Sequence, residues 1–266
     1  MRTWMLAVAC SFIALAGCQR DTSPAPVDPK VAADPCLLRV GWDPWEPYQF
    51  EGPDGAVAGL DVEIVRQLAG DAGCSLEFVR GSWQELLGQL REGRVHVLMA
   101  ASPTAEREVY ARFSQPYRRE TFALFARAED AAALKEKDLQ ELARAQRRIA
   151  VTDGYYYGES ATQMILDQAT REAFVAAPIV ELNYARLVDG DVDALLDDPF
   201  VAAAVLRRKG WTERIVRLPL EIHSGDVSLM FSKAGVSADT AGRLDAALAA
   251  HKADGSLRKL IDRYQS

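Results

Sequence analysis

The spacing of apolar residues constrains the fold most strongly, because it switches repeatedly between a strand-like and a helix-like period. Leu37 to Trp42 is a short apolar run typical of a buried strand. Apolar residues then recur every three or four positions over 60–68, as on one face of a helix. The alternation continues with a strand at Leu76 to Val79, a helical stripe over 83–90 and a strand at Val95 to Ala100. This order predicts a parallel sheet with helices on both faces.

A second group of alternating elements begins after Lys135. Its predicted strands are Arg148 to Thr152 and Val192 to Leu196, and a helix is predicted over Phe200 to Arg208. Two strand–helix groups of about a hundred residues each fit two lobes better than one continuous domain. We therefore predict an α/β protein with two lobes.

Two extended apolar segments, Thr121 to Arg127 and Val227 to Ser232, are candidates for strands that cross between the lobes. The predicted division is 36–124 for the first part of lobe 1, 125–228 for lobe 2 and 229–266 for the return to lobe 1. Ligands of open α/β sheets bind outside the carboxyl ends of the strands. In a two-lobed protein that position is the cleft between the lobes.

The first residues are typical of an export signal rather than of the folded domain. Arg2 supplies a basic start, and Trp4 to Leu15 form an apolar run too short to cross a bilayer comfortably. We predict a signal peptide over 1–17 that ends in a sequence resembling the bacterial lipobox, with Cys18 lipidated. The alternative is an ordinary signal peptide with an incidental cysteine. If the cell is Gram-negative, Gln19 favours the outer membrane.

The next segment, 18–35, holds four prolines among Ser, Asp and Ala and is predicted to be a lipid-anchored tether. The rest is expected in the periplasm, touching the membrane only through the lipid. In that oxidising compartment Cys36 and Cys74 remain as an even pair. Each precedes a predicted strand, and parallel neighbours about 4.8 Å apart would bring the two cysteines into register. A Cys36–Cys74 disulfide is therefore predicted.

Charge and motif content argue against several classes of protein. The net charge is −7, and the one dense basic patch, Arg144 to Arg148, is short, so binding to nucleic acid is not expected. The three histidines are scattered, and there is no nucleophile elbow, P-loop or metal-ligand spacing. We expect neither enzymatic activity nor a metal or cofactor.

The segment after the strand ending at Ala100 is the best candidate for ligand chemistry. Ser102 is a good helix N-cap and Pro103 suits the first helical position, so the helix start would attract an anion. Arg107 follows Thr104 by three residues on the same face and could hold a carboxylate through two parallel hydrogen bonds. The alternative is a capped surface helix with a solvated arginine. These residues alone do not decide between the two.

An ordered set of short motifs resembles the polar-amino-acid solute-binding proteins of ABC transporters over Leu37 to Gln265. The set comprises Val40-Gly41, Pro47 to Phe50, Gly59 to Ile64, Trp83 with Leu86 and Leu87, Gly93 to Val95, Thr104 to Arg107, Phe113 to Tyr117, Gly190 to Ala194 with Asp198, and Asp254 to Leu257. The resemblance implies the two-lobed periplasmic binding protein fold. In that fold each lobe is a mostly parallel sheet flanked by helices, and two crossover strands join the lobes.

The resemblance also implies roles for charged residues. Arg107 would hold the ligand α-carboxylate, helped by Thr104 and the chain near Ser102, and Asp198 would take the α-ammonium group. The alternative for Asp198 is a helix N-cap, since a proline follows it, and Asp197 could fill either role.

Aromatic residues complete the expected site. Trp45 and Trp83 fall where the family's rings sandwich the ligand side chain, although core packing is the alternative for both. The run Tyr155 to Tyr157 departs from the family and suggests either an aromatic-lined pocket, through Tyr155 and Tyr156, or packing at the hinge. Trp42 stands where binders of cationic side chains often carry an acid, with Asp43 adjacent.

The function implied is capture of an amino acid or similar small zwitterion by lobe closure, for uptake through an ABC permease. We expect a monomer. Two alternatives stay open: a sensor lipoprotein without a transporter, and an enzyme similar to cyclohexadienyl dehydratases on the same fold.

Overall fold

A computed structural model describes residues 36–135 and 137–265. The predicted signal peptide at 1–17, the predicted tether at 18–35 and the predicted lipidation site at Cys18 lie outside the described residues. Within them, no helix combines the length and the apolar character needed to cross a membrane.

Strands and helices alternate through most of the chain. The strands are β1 Cys36–Trp42, β2 Phe50–Glu51, β3 Val57–Ala58, β4 Cys74–Arg80, β5 Val97–Ala101, β6 Ala111–Phe113, β7 Arg118–Arg127, β8 Ile149–Thr152, β9 Phe174–Ala177, β10 Ala194–Asp197 and β11 Ile215–Ser232. The α-helices are α1 Leu60–Asp71, α2 Trp83–Arg91, α3 Ala105–Tyr110, α4 Ala131–Leu134, α5 Leu139–Arg144, α6 Glu159–Leu166, α7 Val180–Asp189, α8 Pro199–Lys209, α9 Ala238–Ala253 and α10 Ser256–Gln265, with a 3₁₀ turn at Arg171–Ala173.

The first lobe is built on the parallel strands β4, β1 and β5. Cys36 and Cys74 are paired in register at the starts of β1 and β4, and they form a disulfide with Cα atoms 4.5 Å apart. The predicted disulfide is confirmed, and so is the register from which it was inferred. Helix α2 begins with a capping box in which Ser82 and Glu85 bond each other's backbone N–H groups, and it buries Leu86 and Leu90.

The second lobe is built on the parallel strands β9, β8 and β10. Strand β7 pairs antiparallel with β10, which gives this lobe the mixed edge common in α/β folds. Helices α7 and α8 both end at glycines in the left-handed conformation, Gly190 and Gly210, where a residue without Cβ satisfies the last carbonyls at low cost.

Two long strands connect the lobes. β7 and β11 pair antiparallel from Arg127 with Ile215 to Arg118 with Val227, and β11 then continues beside β5 and β6. The strand order is therefore β4-β1-β5-β11-β7-β10-β8-β9, with β6 beside β11. Both predicted crossover segments are confirmed as parts of longer strands. Helices α9 and α10 pack against α1, so the chain returns to the first lobe. The two-lobed α/β fold is as predicted.

Candidate functional site

A cavity lies between the lobes at the carboxyl ends of β1, β5 and β8, where an α/β fold is expected to bind its ligand. It has an empty volume of about 350 Å³, counting its opening to solvent. Its walls are Asp43, Trp45, Gln49, Trp83, Met99, Ala100, Ser102, Arg107, Glu120, Phe122, Tyr155 and Tyr156. The cavity therefore combines one arginine, two carboxyl groups and five aromatic side chains.

The turn that carries Arg107 differs in detail from the prediction. Thr104, not Ser102, caps α3, because its Oγ1 accepts a hydrogen bond from the Arg107 backbone N–H at 3.3 Å. Ser102 lies two residues earlier and faces the cavity, and its carbonyl accepts from Arg107 Nη1 at 3.0 Å. The predicted N-cap at Ser102, with Pro103 at the first helical position, is thus wrong. The cap moves two residues because the chain stays extended at Thr104.

Arg107 is buried, with 7% of its surface exposed. Its Nη2 donates to the carbonyl of Gly154 in the second lobe at 2.9 Å, and its guanidinium lies 5.5 Å from the ring centroid of Trp83. No carboxylate among residues 36–135 and 137–265 lies within 4.0 Å of this guanidinium. Burial lowers the pKa of Arg107, but a guanidinium stays charged in proteins. The cavity thus holds a buried cation whose charge has no direct anionic partner within the described residues.

Glu120 of β7 lines the same cavity and is buried. Its Oε2 accepts a hydrogen bond from Ser224 Oγ at 3.1 Å. Burial raises the pKa of Glu120 to about 7, and the charge of Arg118 offsets only part of that effect. The carboxyl group therefore titrates much closer to neutral pH than an exposed glutamate does.

Asp43 is the second carboxyl group of the cavity and directly follows β1. Its Oδ2 accepts a hydrogen bond from the Tyr155 hydroxyl at 3.0 Å. Burial raises the pKa of Asp43 to about 6, and the bond from Tyr155 works against that shift. This contact joins the two lobes across the cleft.

The predicted aromatic residues converge on the cavity. The ring of Tyr155 meets Trp45 and Trp83 edge-on, with ring centroids 6.1 Å apart in both pairs. Tyr156 lines the wall as well. Tyr157 instead packs in the core of the second lobe, where its hydroxyl accepts from the Thr152 N–H. The aromatic-pocket interpretation of this run applies to Tyr155 and Tyr156, and the packing interpretation to Tyr157.

Asp198 lies outside the cavity, contrary to the role implied by resemblance. Its Oδ1 accepts from the N–H groups of Phe200 and Val201 at 2.7 and 3.3 Å, and its Oδ2 accepts from the Tyr48 hydroxyl at 3.2 Å. The N-cap interpretation is the one the structure supports. Because the start of α8 uses the carboxylate, little capacity remains for a ligand ammonium group.

Asp197 is also internal and does not line the cavity. Its Oδ2 accepts from the Tyr184 hydroxyl at 2.7 Å, and its Oδ1 accepts from the Asp198 N–H at 2.8 Å. Burial raises the pKa of Asp197 to about 8. Neither carboxylate after β10 reaches the cavity of Arg107.

Sequence reasoning missed Glu120, Gln49, Met99 and Phe122. Glu120 carried one weak signal, since it is an acidic residue directly before the apolar crossover segment predicted at Thr121 to Arg127. The other three have side chains that also suit ordinary packing. Among the described residues, no three His, Cys, Asp or Glu side chains are grouped as metal ligands.

Comparison with known proteins gives relatives of more than one kind. The L-cystine-binding protein TcyJ of Escherichia coli K12 is 23% identical over 83% of this chain and 79% of its own length. Cyclohexadienyl dehydratase of Pseudomonas aeruginosa is 32% identical, but over only 29% of each chain. A His/Glu/Gln/Arg/opine family-binding protein from Silicibacter pomeroyi, solved with lysine, superimposes with a TM-score of 0.70 at 21% identity. That superposition covers 85% of this chain and 96% of the other. At such identity the structural likeness shows the fold.

The family follows from a match over almost the whole described chain. The family model of bacterial extracellular solute-binding proteins, family 3, matches residues 38–266. That range includes both lobes, both crossover strands and every residue of the cavity. This chain belongs to the bacterial extracellular solute-binding proteins of family 3.

Proposed function

We propose that the cavity binds a small α-amino acid, with the ligand carboxylate on Arg107 and the ligand ammonium group facing Glu120. The observation that carries the proposal is the buried Arg107 guanidinium, which has no carboxylate within ion-pair distance in the described residues although an acid lines the same cavity. An isolated buried charge is costly unless it is paired and hydrogen-bonded. A ligand carboxylate removes that cost.

The hydrogen-bonding capacity of Arg107 fits this role. A guanidinium has five N–H donors in a planar fork, and the carbonyls of Ser102 and Gly154 take two of them. The remaining donors suit a carboxylate, which accepts two parallel bonds from a guanidinium. The two carbonyls also fix the plane of the fork, so a carboxylate meets an arginine that is already oriented.

Glu120 is the better anchor for an ammonium group than Asp43. Each carboxyl group accepts a side-chain hydrogen bond on one oxygen, Asp43 from Tyr155 and Glu120 from Ser224. Glu120 is favoured because its charge acts on Arg107, and the ammonium group of an α-amino acid lies next to the carboxylate proposed to bind there. An ammonium ion next to Glu120 favours its charged form and lowers its pKa again. Binding of an amino acid at neutral pH should therefore release, on average, less than one proton per ligand.

We further propose that the protein delivers its ligand to an ABC permease and is held to the membrane through Cys18. Membership of an extracellular solute-binding family and the functions of relatives such as the cystine-binding protein support this proposal. Cys18→Ser should release the protein into the soluble fraction. Wild-type protein that already fractionates as soluble would contradict lipid anchoring.

The ligand proposal is tested by thermal unfolding against the common amino acids, followed by calorimetry. A ligand at a thousand times its Kd stabilises the folded state by about 4 kcal/mol. Arg107→Met should abolish the shift, and the matched control Arg144→Met, at an exposed position, should keep it. An amino acid that stabilises Arg107→Met as much as wild type would show that the carboxylate is held elsewhere.

A second candidate function is a dehydratase. A carboxyl group with a pKa of about 7 beside a carboxylate-binding arginine has the protonation state that a general acid needs. Cyclohexadienyl dehydratase, which is similar over 29% of this chain, is the reason to test for this activity. Incubation with prephenate or arogenate distinguishes the candidates, because turnover that Glu120→Gln abolishes would identify an enzyme.

A further inference from the structure

The segment Gly154–Tyr155 crosses from the second lobe into the cavity and is bonded there to three residues of the first lobe. The carbonyl of Gly154 accepts from Arg107 Nη2 at 2.9 Å and from Trp83 Nε1 at 3.1 Å. The Tyr155 hydroxyl donates to Asp43 at 3.0 Å. Hydrogen bonds therefore hold this segment through the backbone of Gly154 and through the side chain of Tyr155.

Glycine is required for this approach. Gly154 has a φ of +75°, which side-chain-bearing residues rarely adopt. A Cβ at this position would lie 2.5 Å from Gln84 Oε1 and 3.3 Å from Trp83 Cδ1. The backbone therefore lies directly on the start of α2 and brings Tyr155 to one place in the cavity.

That place is the aromatic part of the cavity. The ring of Tyr155 meets Trp45 at an interplanar angle of 81° and Trp83 at 82°, the edge-on arrangement that aromatic pairs favour. These are the two rings that the resemblance assigned to the ligand side chain. A ring of the protein itself contacts both of them.

We propose that Tyr155 remains in the aromatic part of the cavity when ligand binds and so restricts the ligand to amino acids with short side chains. The restriction rests on the proposed function, whereas the filling of the aromatic part by Tyr155 does not. A long side chain would have to displace the phenol, which would leave the buried Asp43 without its donor and break two ring contacts. A short side chain leaves all of these contacts in place.

The test compares Tyr155→Gly with wild type, and Tyr264→Gly, at a partly buried tyrosine outside the cavity, serves as the control. Glycine, alanine and serine should bind wild type more tightly than phenylalanine or arginine. Tyr155→Gly should bind phenylalanine roughly tenfold more tightly than wild type does, because the ligand ring regains the two indole contacts. Tyr264→Gly should show no such gain. Affinities are measured by calorimetry.

A second measurement needs no amino acid. The probe is p-cresol, the tyrosine side chain as a free molecule, which should raise the unfolding temperature of Tyr155→Gly but not of wild type or Tyr264→Gly. Stabilisation by p-cresol without binding of any amino acid would leave the filling role intact and refute the proposed function. Binding of short amino acids with no response to p-cresol and no gain for phenylalanine would refute the present inference.

If Tyr155→Gly fails to fold, Tyr155→Phe tests the same point. It keeps the ring and removes only the hydroxyl, so it should keep the preference for short side chains. Wild type that binds phenylalanine as tightly as alanine would overturn the inference without any variant.

Discussion

Two buried arginines about ten residues apart in sequence have opposite surroundings. Arg118 bonds Asp61 through Nε and Nη2, both at 3.0 Å, and the Tyr48 ring centroid lies 4.0 Å from its guanidinium. Arg107 bonds only backbone carbonyls among the described residues, those of Ser102 and Gly154. Arg118 is paired with a carboxylate inside the fold, and Arg107 is not.

The difference separates a structural ion pair from the proposed binding site. In the first pair the side chains are 5% and 0% exposed, and the bidentate geometry satisfies both groups without any ligand. In the cavity, Arg107 and Glu120 both belong to the lining without forming a salt bridge, and the pKa of Glu120 is raised to about 7. Burial alone therefore does not identify a functional arginine. The lack of a carboxylate partner is the reason why Arg107, and not Arg118, is proposed to bind the ligand.

The largest expected effect comes from breaking the structural pair. Asp61→Asn leaves the Arg118 charge buried without compensation, which should destabilise the fold by about 3–5 kcal/mol in urea unfolding. Asp262→Asn, which removes the exposed partner of Arg258, should cost no more than about 0.5 kcal/mol. Replacing both Asp61 and Arg118 by apolar residues should recover most of the loss. Equal losses of unfolding free energy in Asp61→Asn and Asp262→Asn would show that the buried ion pair stabilises the fold no more than an exposed one does.

Breaking the other site should affect binding instead of stability. Arg107→Met should lower affinity for the amino acid by several hundred-fold or more, equivalent to about 3–5 kcal/mol. Its unfolding free energy should stay near that of wild type, because no internal ion pair is lost. The affinity of Arg107→Lys, measured by calorimetry, should lie between those of wild type and Arg107→Met, since lysine keeps the charge but cannot form two parallel hydrogen bonds. A large loss of stability with unchanged affinity would contradict the assignment.

The raised pKa of Glu120 makes the binding of an amino acid depend on pH. Below about pH 7 the carboxyl group is mostly protonated and cannot pair with an ammonium ion, so affinity should rise by up to about tenfold per pH unit towards pH 7 and then level off. Calorimetry in buffers of different ionisation enthalpy should detect the released proton. Glu120→Gln, or a ligand without the amine, should remove the rise.

The same buried acids make stability without ligand depend on pH in the opposite direction. Burial raises the pKa of Asp43, Glu120 and Asp197 to about 6, 7 and 8, well above the values of an unfolded chain. Their contribution to stability is fully present below about pH 4 and is lost as pH rises through these values, by up to about 1.4 kcal/mol per pH unit for each group. Unfolding free energy should therefore be lower at pH 8 than at pH 6, and less so in Asp197→Asn.

The smallest effect concerns Asp198. Asp198→Ala should cost about 0.5–2 kcal/mol of stability through loss of the α8 cap and change affinity less than threefold. Asp198→Asn keeps a good capping residue and should alter neither quantity much. A strong loss of amino-acid affinity in Asp198→Asn would restore the ammonium role implied by resemblance.

The sequence alone predicted most of the strands, the two crossover segments and the arginine of the proposed site. Apolar spacing located β1, β4 and β5 of the first lobe and β8 and β10 of the second, but it did not locate β9. The positions of Cys36 and Cys74 before neighbouring strands determined the disulfide, since parallel strands that start together have fixed register. Arg107 was a candidate because of the short motif Ser102 to Arg107, which can be recognised from residues adjacent in sequence.

Only the tertiary structure decided which acids face the cavity. The side chain of Glu120 bonds Ser224, 104 residues away, and Asp43 bonds Tyr155, 112 residues away. Asp198 and Glu120 both carry buried carboxyl groups. Asp198 accepts hydrogen bonds from the start of α8, whereas Glu120 lines the cavity. A carboxylate is available to a ligand only when its acceptor sites are not already filled, and distant elements fill them when they pack.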